Sequence, residues 1–189
     1  MKKRFQNNAK SLNKKKTITR TFRINVEWDE IIKKEAERQG ISVSSILNKI
    51  LKKYSVYSRW TDRFQTINLS SHVFKEILNS IQVENLSEAG SKCGAVDPIN
   101  IINILGLAND YDSFVYLLTE YFDGPSYANW FSCFHHKQKN NDVFHLQHDL
   151  GRKWNIFLEK YLQSFLKSIT DLKVKTRIYD YAITLEVTP

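Results

Sequence analysis

Residues 17–54 read TITRTFRINVEWDEIIKKEAERQGISVSSILNKILKKY. From Thr17 to Val26 the pattern alternates: Ile18, Phe22, Ile24 and Val26 fall on one parity, and Thr21, Arg23 and Asn25 on the other. Successive side chains of a strand point to opposite faces, so this is the pattern of a short strand with one apolar and one polar face. Glu27–Gln39 follows with helical spacing: Trp28, Ile31, Ile32 and Ala36 form a stripe, and Glu27, Asp29 and Glu30 sit at the positive end of the helix dipole. Gly40 occupies the position favoured for a left-handed cap. Beyond it, Ser42 or Ser44 can open a second helix that carries Ile46, Leu47, Ile50, Leu51 and Tyr54 on one face.

The order strand, helix, turn, helix cannot close on itself. A lone strand has no partner for its backbone N–H and C=O groups, and two short helices cannot cover its apolar face as well as their own. The unit calls for a second copy of itself. In this order of elements, with Ala36, Gly40, the serine turn and Ile46/Leu47/Ile50, residues 17–54 resemble the ribbon-helix-helix family of the Arc, MetJ and CopG type. The resemblance implies an intertwined dimer in which two strands pair into a ribbon that enters the major groove of double-stranded DNA. It places Thr21, Arg23 and Asn25 at base edges, and their chemistry suits that role. Arg can donate twice to guanine, Asn can pair with adenine, and Thr can bond to a base or touch a thymine methyl. Phosphates are expected at the start of the second helix, near Val43, Ser44 and Ser45, where free N–H groups and the helix dipole favour an anion. Arg20, Lys14, Lys15 and Lys16 add attraction that is independent of sequence.

The charge distribution points the same way. Of the chain's 189 residues, 1–63 hold 17 Lys and Arg against 6 Asp and Glu, a net +11, whereas 64–189 hold 11 against 14, a net −3. Only a module that approaches phosphates needs such an excess. Residues 1–16 contain seven Lys or Arg and no acid, a composition that cannot bury enough apolar surface to order itself. The expected organisation is a basic arm at 1–16, a DNA-binding unit at 17–60 and a sensing or oligomerising domain at 61–189.

That last part reads as an α+β sandwich with helices on one face of an antiparallel sheet. The expected elements are a strand at Arg63–Leu69, a helix capped by Ser70 or Ser71, a loose stretch at 85–96, and helices at Ile99–Leu107 and Tyr111–Phe122. Strands at Ala128–Gln138 and Val143–His148 come next. A strong amphipathic helix capped by Asp149 then runs to Thr170, and Val174–Val187 forms one strand or a hairpin turning near Asp180. The order strand, helix, strand, strand, helix, strand after such a DNA-binding unit is similar to the nickel-responsive regulators. The segment His148–Trp154 is similar to one in uncharacterised archaeal proteins with an N-terminal DNA-binding arm.

Cys133, His135, His136, His145 and His148 carry ligand chemistry for zinc, nickel or copper, and Cys133, His135, His145 and His148 are the candidate metal set. Their spacing departs from the nickel regulators. His145 and His148 have opposite strand parity, so surface histidines on an aromatic hairpin are the competing reading. No Gly-rich phosphate loop, HExxH, paired CxxC or nucleophile elbow occurs, so the chain is expected not to be an enzyme and to need no cofactor beyond a possible metal ion. Two cysteines and no long apolar run suggest a reduced cytoplasmic protein without a membrane partner. The expected function is a sequence-specific transcriptional regulator acting as a homodimer or higher oligomer. The alternatives are a metal- or small-molecule-sensing regulator, an antitoxin and a nonspecific architectural DNA-binding protein.

Overall fold

The computed structural model describes residues 18–59, 67–123, 128–139 and 141–188. These form six helices and a four-stranded antiparallel sheet, an α+β architecture. The chain divides into two compact units, 1–46 and 47–189. The division falls within the second helix.

In the first unit, helix α1 spans Val26–Gln39. Asn25 opens it by accepting the Glu27 N–H at 2.8 Å, and Gly40 closes it at φ 64°, its N–H bonded back to the last turn. The strand expected over Thr17–Val26 is not seen at 18–25, and Val26 opens α1; no strand among the described residues lies beside the segment to bond to it. Helix α2 spans Val43–Lys53 and continues as a π-helical turn at Tyr54–Ser58.

The second unit is organised around a helix that sequence patterning splits. Gly90, Gly94 and Pro98 read as breakers, yet Val83–Leu105 is one 23-residue helix, α4. It follows α3 (Ser71–Ser80), which is capped by the Ser70 hydroxyl. The two glycines remain helical because they lie where α4 presses against α6 (Arg152–Ile169), with no room for a side chain between the backbones. Pro98 has no N–H for the Gly94 carbonyl, so it removes one helical hydrogen bond, and it is buried in the same helix. The expected loose stretch at 85–96 and separate helix at 99–107 are therefore corrected to one element. Helix α5 (Tyr111–Tyr116) is capped by Asp110, whose carboxylate accepts the Ser113 N–H at 3.0 Å, and runs into a π-helical turn at Leu117–Tyr121.

Two hairpins supply the sheet. Strands β1 (Ser132–Gln138) and β2 (Asn141–Gln147) form the first, β3 (Lys173–Ile178) and β4 (Ala182–Thr188) the second, in the order β1-β2-β4-β3. The expected strand at 63–69 is not seen at 67–69, and residues 63–66 lie outside those described. The strand-helix-strand-strand-helix-strand order therefore gives way to two hairpins joined by α6. Gly151, not Asp149, precedes that helix.

Register fixes the two faces of the sheet. Phe144 pairs with Leu185 and Leu146 with Ile183, and all four are buried on the face that meets the helices. Phe114 of α5 bridges the layers, its ring centroid 5.8 Å from Phe144 and 5.1 Å from Phe165 of α6. Leu158, Tyr161, Leu162, Phe165 and Leu166 supply the inward stripe of α6. Asn155 is a fully buried polar side chain on the same helix. It is held by His148 Nε2 at 2.7 Å and donates to the Tyr179 carbonyl at 2.7 Å, which ties α6 to the turn between β3 and β4.

Candidate nucleic-acid interface

Arg20, Thr21, Arg23 and Asn25 are all exposed. Two ion pairs form within α1: Lys33 bridges Asp29 at 2.5 Å and Arg38 bridges Glu35 at 2.5 Å. Arg20 and Arg23 form no ion pair among the described residues. Asn25 differs from its neighbours, because its Oδ1 already accepts the Glu27 N–H that caps α1.

At the start of α2, Ser42 acts as the cap. Its Oγ accepts the Ser45 N–H at 3.1 Å, and its carbonyl accepts the N–H groups of Ser45 and Ile46. The Ser45 amide is thus already used, whereas the Val43 and Ser44 amides have no partner among the described residues. Of the three expected phosphate donors, two keep their hydrogen. Lys14, Lys15 and Lys16 lie outside the described residues.

The apolar parity of the same segment is uncovered. Ile18 is 74% exposed, Phe22 61% and Val26 72%, and Trp28 and Ile31 on α1 exceed 60%. Five large apolar side chains between residues 18 and 31 are thus exposed in the single chain.

The candidate metal residues are not brought together. Cys133 pairs with Leu146 and His135 with Phe144 on the helix-facing side of the sheet, whereas His145 pairs with Phe134 and Thr184 on the opposite side. Each histidine has another partner. His135 Nε2 meets Asp142 at 2.7 Å, His145 Nδ1 meets Thr184 Oγ1 at 3.0 Å, and His148 bonds Asn155 through Nε2 and accepts the Leu150 N–H at Nδ1. Burial, reinforced by the Asp123 carboxylate, pushes the Cys133 thiol up to about 12, far from the thiolate that a metal requires. Among the described residues no three His, Cys, Asp or Glu side chains gather at one point. The opposite faces, invisible to residue spacing along one strand, explain the difference.

No protein-family model, curated protein or solved structure matches the chain. Among the described residues no helix is long and apolar enough to cross a membrane. Tyr57, Asp97, Tyr121, Phe122, Trp130 and Tyr161 line one hollow. These six come from five separate segments, and no single run of sequence carries their association.

Proposed function

We propose that the chain is a sequence-specific DNA-binding transcriptional regulator that works as a dimer. Two copies of residues 18–26 pair as an antiparallel ribbon, and its polar parity reads the major groove. The observation that carries this reading is the alternating segment, which pairs with no strand among the described residues, with Ile18, Phe22 and Val26 exposed on one parity and the exposed Arg23 on the other. Pairing with a second copy satisfies the backbone and covers the apolar side chains together. Full burial of each such side chain is worth about 1.5–3 kcal/mol, enough over several residues to offset part of the cost of association.

Within this reading Arg23 and Thr21 are the principal base-reading side chains. Asn25 can still donate from its amide while its oxygen holds the helix. Arg20 and the free amides of Val43 and Ser44 anchor phosphates and fix the register.

Selection of genomic DNA fragments by the purified chain, at near-physiological salt, tests the proposal. The wild-type protein is expected to enrich a short repeat, and the Thr21→Ala, Arg23→Ala double variant to lose that enrichment while retaining weak general binding. Asn25 is best left intact, because replacing it would also remove a helix cap. If the wild-type protein enriches no motif, sequence-specific regulation is wrong.

A further inference from the structure

Strand register gathers a second set of side chains on the face of the sheet turned away from the helices. Phe134 of β1 stands beside His145 of β2, His145 beside Thr184 of β4, and Thr184 beside Arg177 of β3, so these four form one row across the sheet. By the same pairing His136, Val143, Glu186 and Lys175 form the next row. At the β1 edge the rings of Phe134, His136 and His145 lie with centroids 5.3 to 6.2 Å apart and planes within 38° of one another. Phe134 is 65% exposed, so its ring is open to solvent and not packed into the core. His136 Nδ1 is sheltered yet has no hydrogen-bond partner among the described residues. At the β3 edge Lys173, Lys175 and Arg177 share one parity, are exposed, and form no ion pair among the described residues. A hollow of about 120 Å³ lies between the two histidines and the β3 cations, with Thr184 and Glu186 in its lining.

We propose that this face binds single-stranded DNA, with an unpaired base stacked on Phe134 and the sugar-phosphate chain running over Lys175 and Arg177. Residues 64–189 carry a net charge of −3, yet this face sets three cations against one acid. That acid, Glu186, accepts from the Asn141 amide at 2.7 Å and has Lys175 directly opposite it. Charges on an edge strand also deter pairing with another sheet, but this accounts for β3 and not for an exposed phenyl ring on β1. An open ring beside a cationic track is the combination that holds a single strand, since stacking needs a base whose face is not already covered by its duplex neighbours. Neighbouring strands lie about 4.8 Å apart, so Phe134 and Arg177 are separated by roughly 14 Å, a span for an extended chain of nucleotides rather than one small anion. An acidic peptide would pair with the cations and leave the rings unused. Thr184, whose hydroxyl suits a ribose 2′-hydroxyl, is already engaged with His145 Nδ1 at 3.0 Å, which favours deoxyribose as the sugar.

The face lies wholly in the second unit, so the proposal does not rest on the ribbon. The full chain is titrated, by fluorescence anisotropy at near-physiological salt, with a short labelled oligothymidylate and with an abasic oligomer of the same length. Ultraviolet cross-links to the oligothymidylate are then mapped by peptide mass. A thymine adduct is expected in the segment that holds Phe134, and Lys175→Gln, Arg177→Gln should lower its yield at least fivefold. Phe134→Ala, a change at an exposed position, should weaken oligothymidylate at least fivefold, the lower end for loss of one stacked base, and leave the weaker abasic oligomer unchanged. Thr21→Ala, Arg23→Ala should keep the Phe134 adduct, so the ribbon and the sheet face can each fail alone. Cross-links confined to residues 1–63, or an oligothymidylate affinity unchanged in Phe134→Ala, would overturn the proposal. Equal affinity for the two oligomers would do the same, because the face would then be a general polyanion surface.

Discussion

Replacing Gly94 by alanine should destabilise the second unit, although alanine is the better helix former. At an unhindered mid-helix position the exchange would stabilise by about 1 kcal/mol. At Gly94 an added Cβ would lie 2.6 Å from the Tyr161 Cα and 2.7 Å from its carbonyl carbon. Carbon atoms rest about 3.5–4.0 Å apart, so α4 and α6 would have to separate by roughly 1 Å. Backbone atoms cannot rotate aside as a side-chain tip can. Overpacking of this kind costs about 1–3 kcal/mol, and the absence of any rotamer escape puts Gly94 at or above the upper end. After the propensity gain a net loss of about 2 kcal/mol is expected. Urea unfolding followed by tryptophan fluorescence can read it, since Trp154 is buried on α6. A Gly94→Ala protein as stable as wild type, or more so, would refute the close helix contact. Gly90→Ala, which also meets backbone at Phe157, should shift the midpoint in the same direction.

Three other effects are expected. Asn155→Leu removes the groups that satisfy His148 and the Tyr179 carbonyl. At about 1–3 kcal/mol for each orphaned buried group, the variant should unfold at clearly lower urea. Asp110→Ala deletes the cap of α5 and should cost about 0.5–2 kcal/mol by the same assay, with Asp110→Asn retaining most of the stability. Burial lowers the pKa of His148 below its ordinary 6.5, against the opposing hydrogen bond to Asn155. The unfolded chain therefore takes up that proton first, and stability falls as pH drops through about 6.5 towards the folded value. Thermal melts from pH 8 to 5 should show this decline flattened in His148→Gln, and identical slopes would exclude the linkage.

How much of this was legible in the sequence depended on whether the deciding contact was local. The boundaries of α1 could be read because their causes lie within a few residues: first-turn acids and a glycine that alone adopts φ 64° without strain. The inward stripe of α6 was readable for the same reason, whereas Val174–Val187 read equally as one strand or a hairpin, and the pairing of β3 with β4 makes it the hairpin. Gly90, Gly94 and Pro98 were not, because their meaning depends on α6, more than 60 positions away. A glycine that admits another backbone and a glycine that ends a helix look alike until the partner is known. The candidate metal set failed for a related reason: pairing between strands, not spacing along one, put His145 across the sheet from Cys133 and His135. Of the residues proposed to contact DNA, the polar parity was plain in the sequence, while the commitment of Asn25 and of the Ser45 amide to helix caps emerged only from hydrogen-bond geometry.

Sedimentation equilibrium of the wild-type chain beside a Phe22→Asp, Ile24→Asp variant tests most directly whether residues 18–26 join two copies. The expected result is a wild-type dimer at micromolar concentration and a variant that sediments as a folded monomer, because the charges would have to be buried in the ribbon. A wild-type protein that remains monomeric at tens of micromolar, or a variant that dimerises as well as wild type, would contradict the ribbon and the mode of DNA reading built on it.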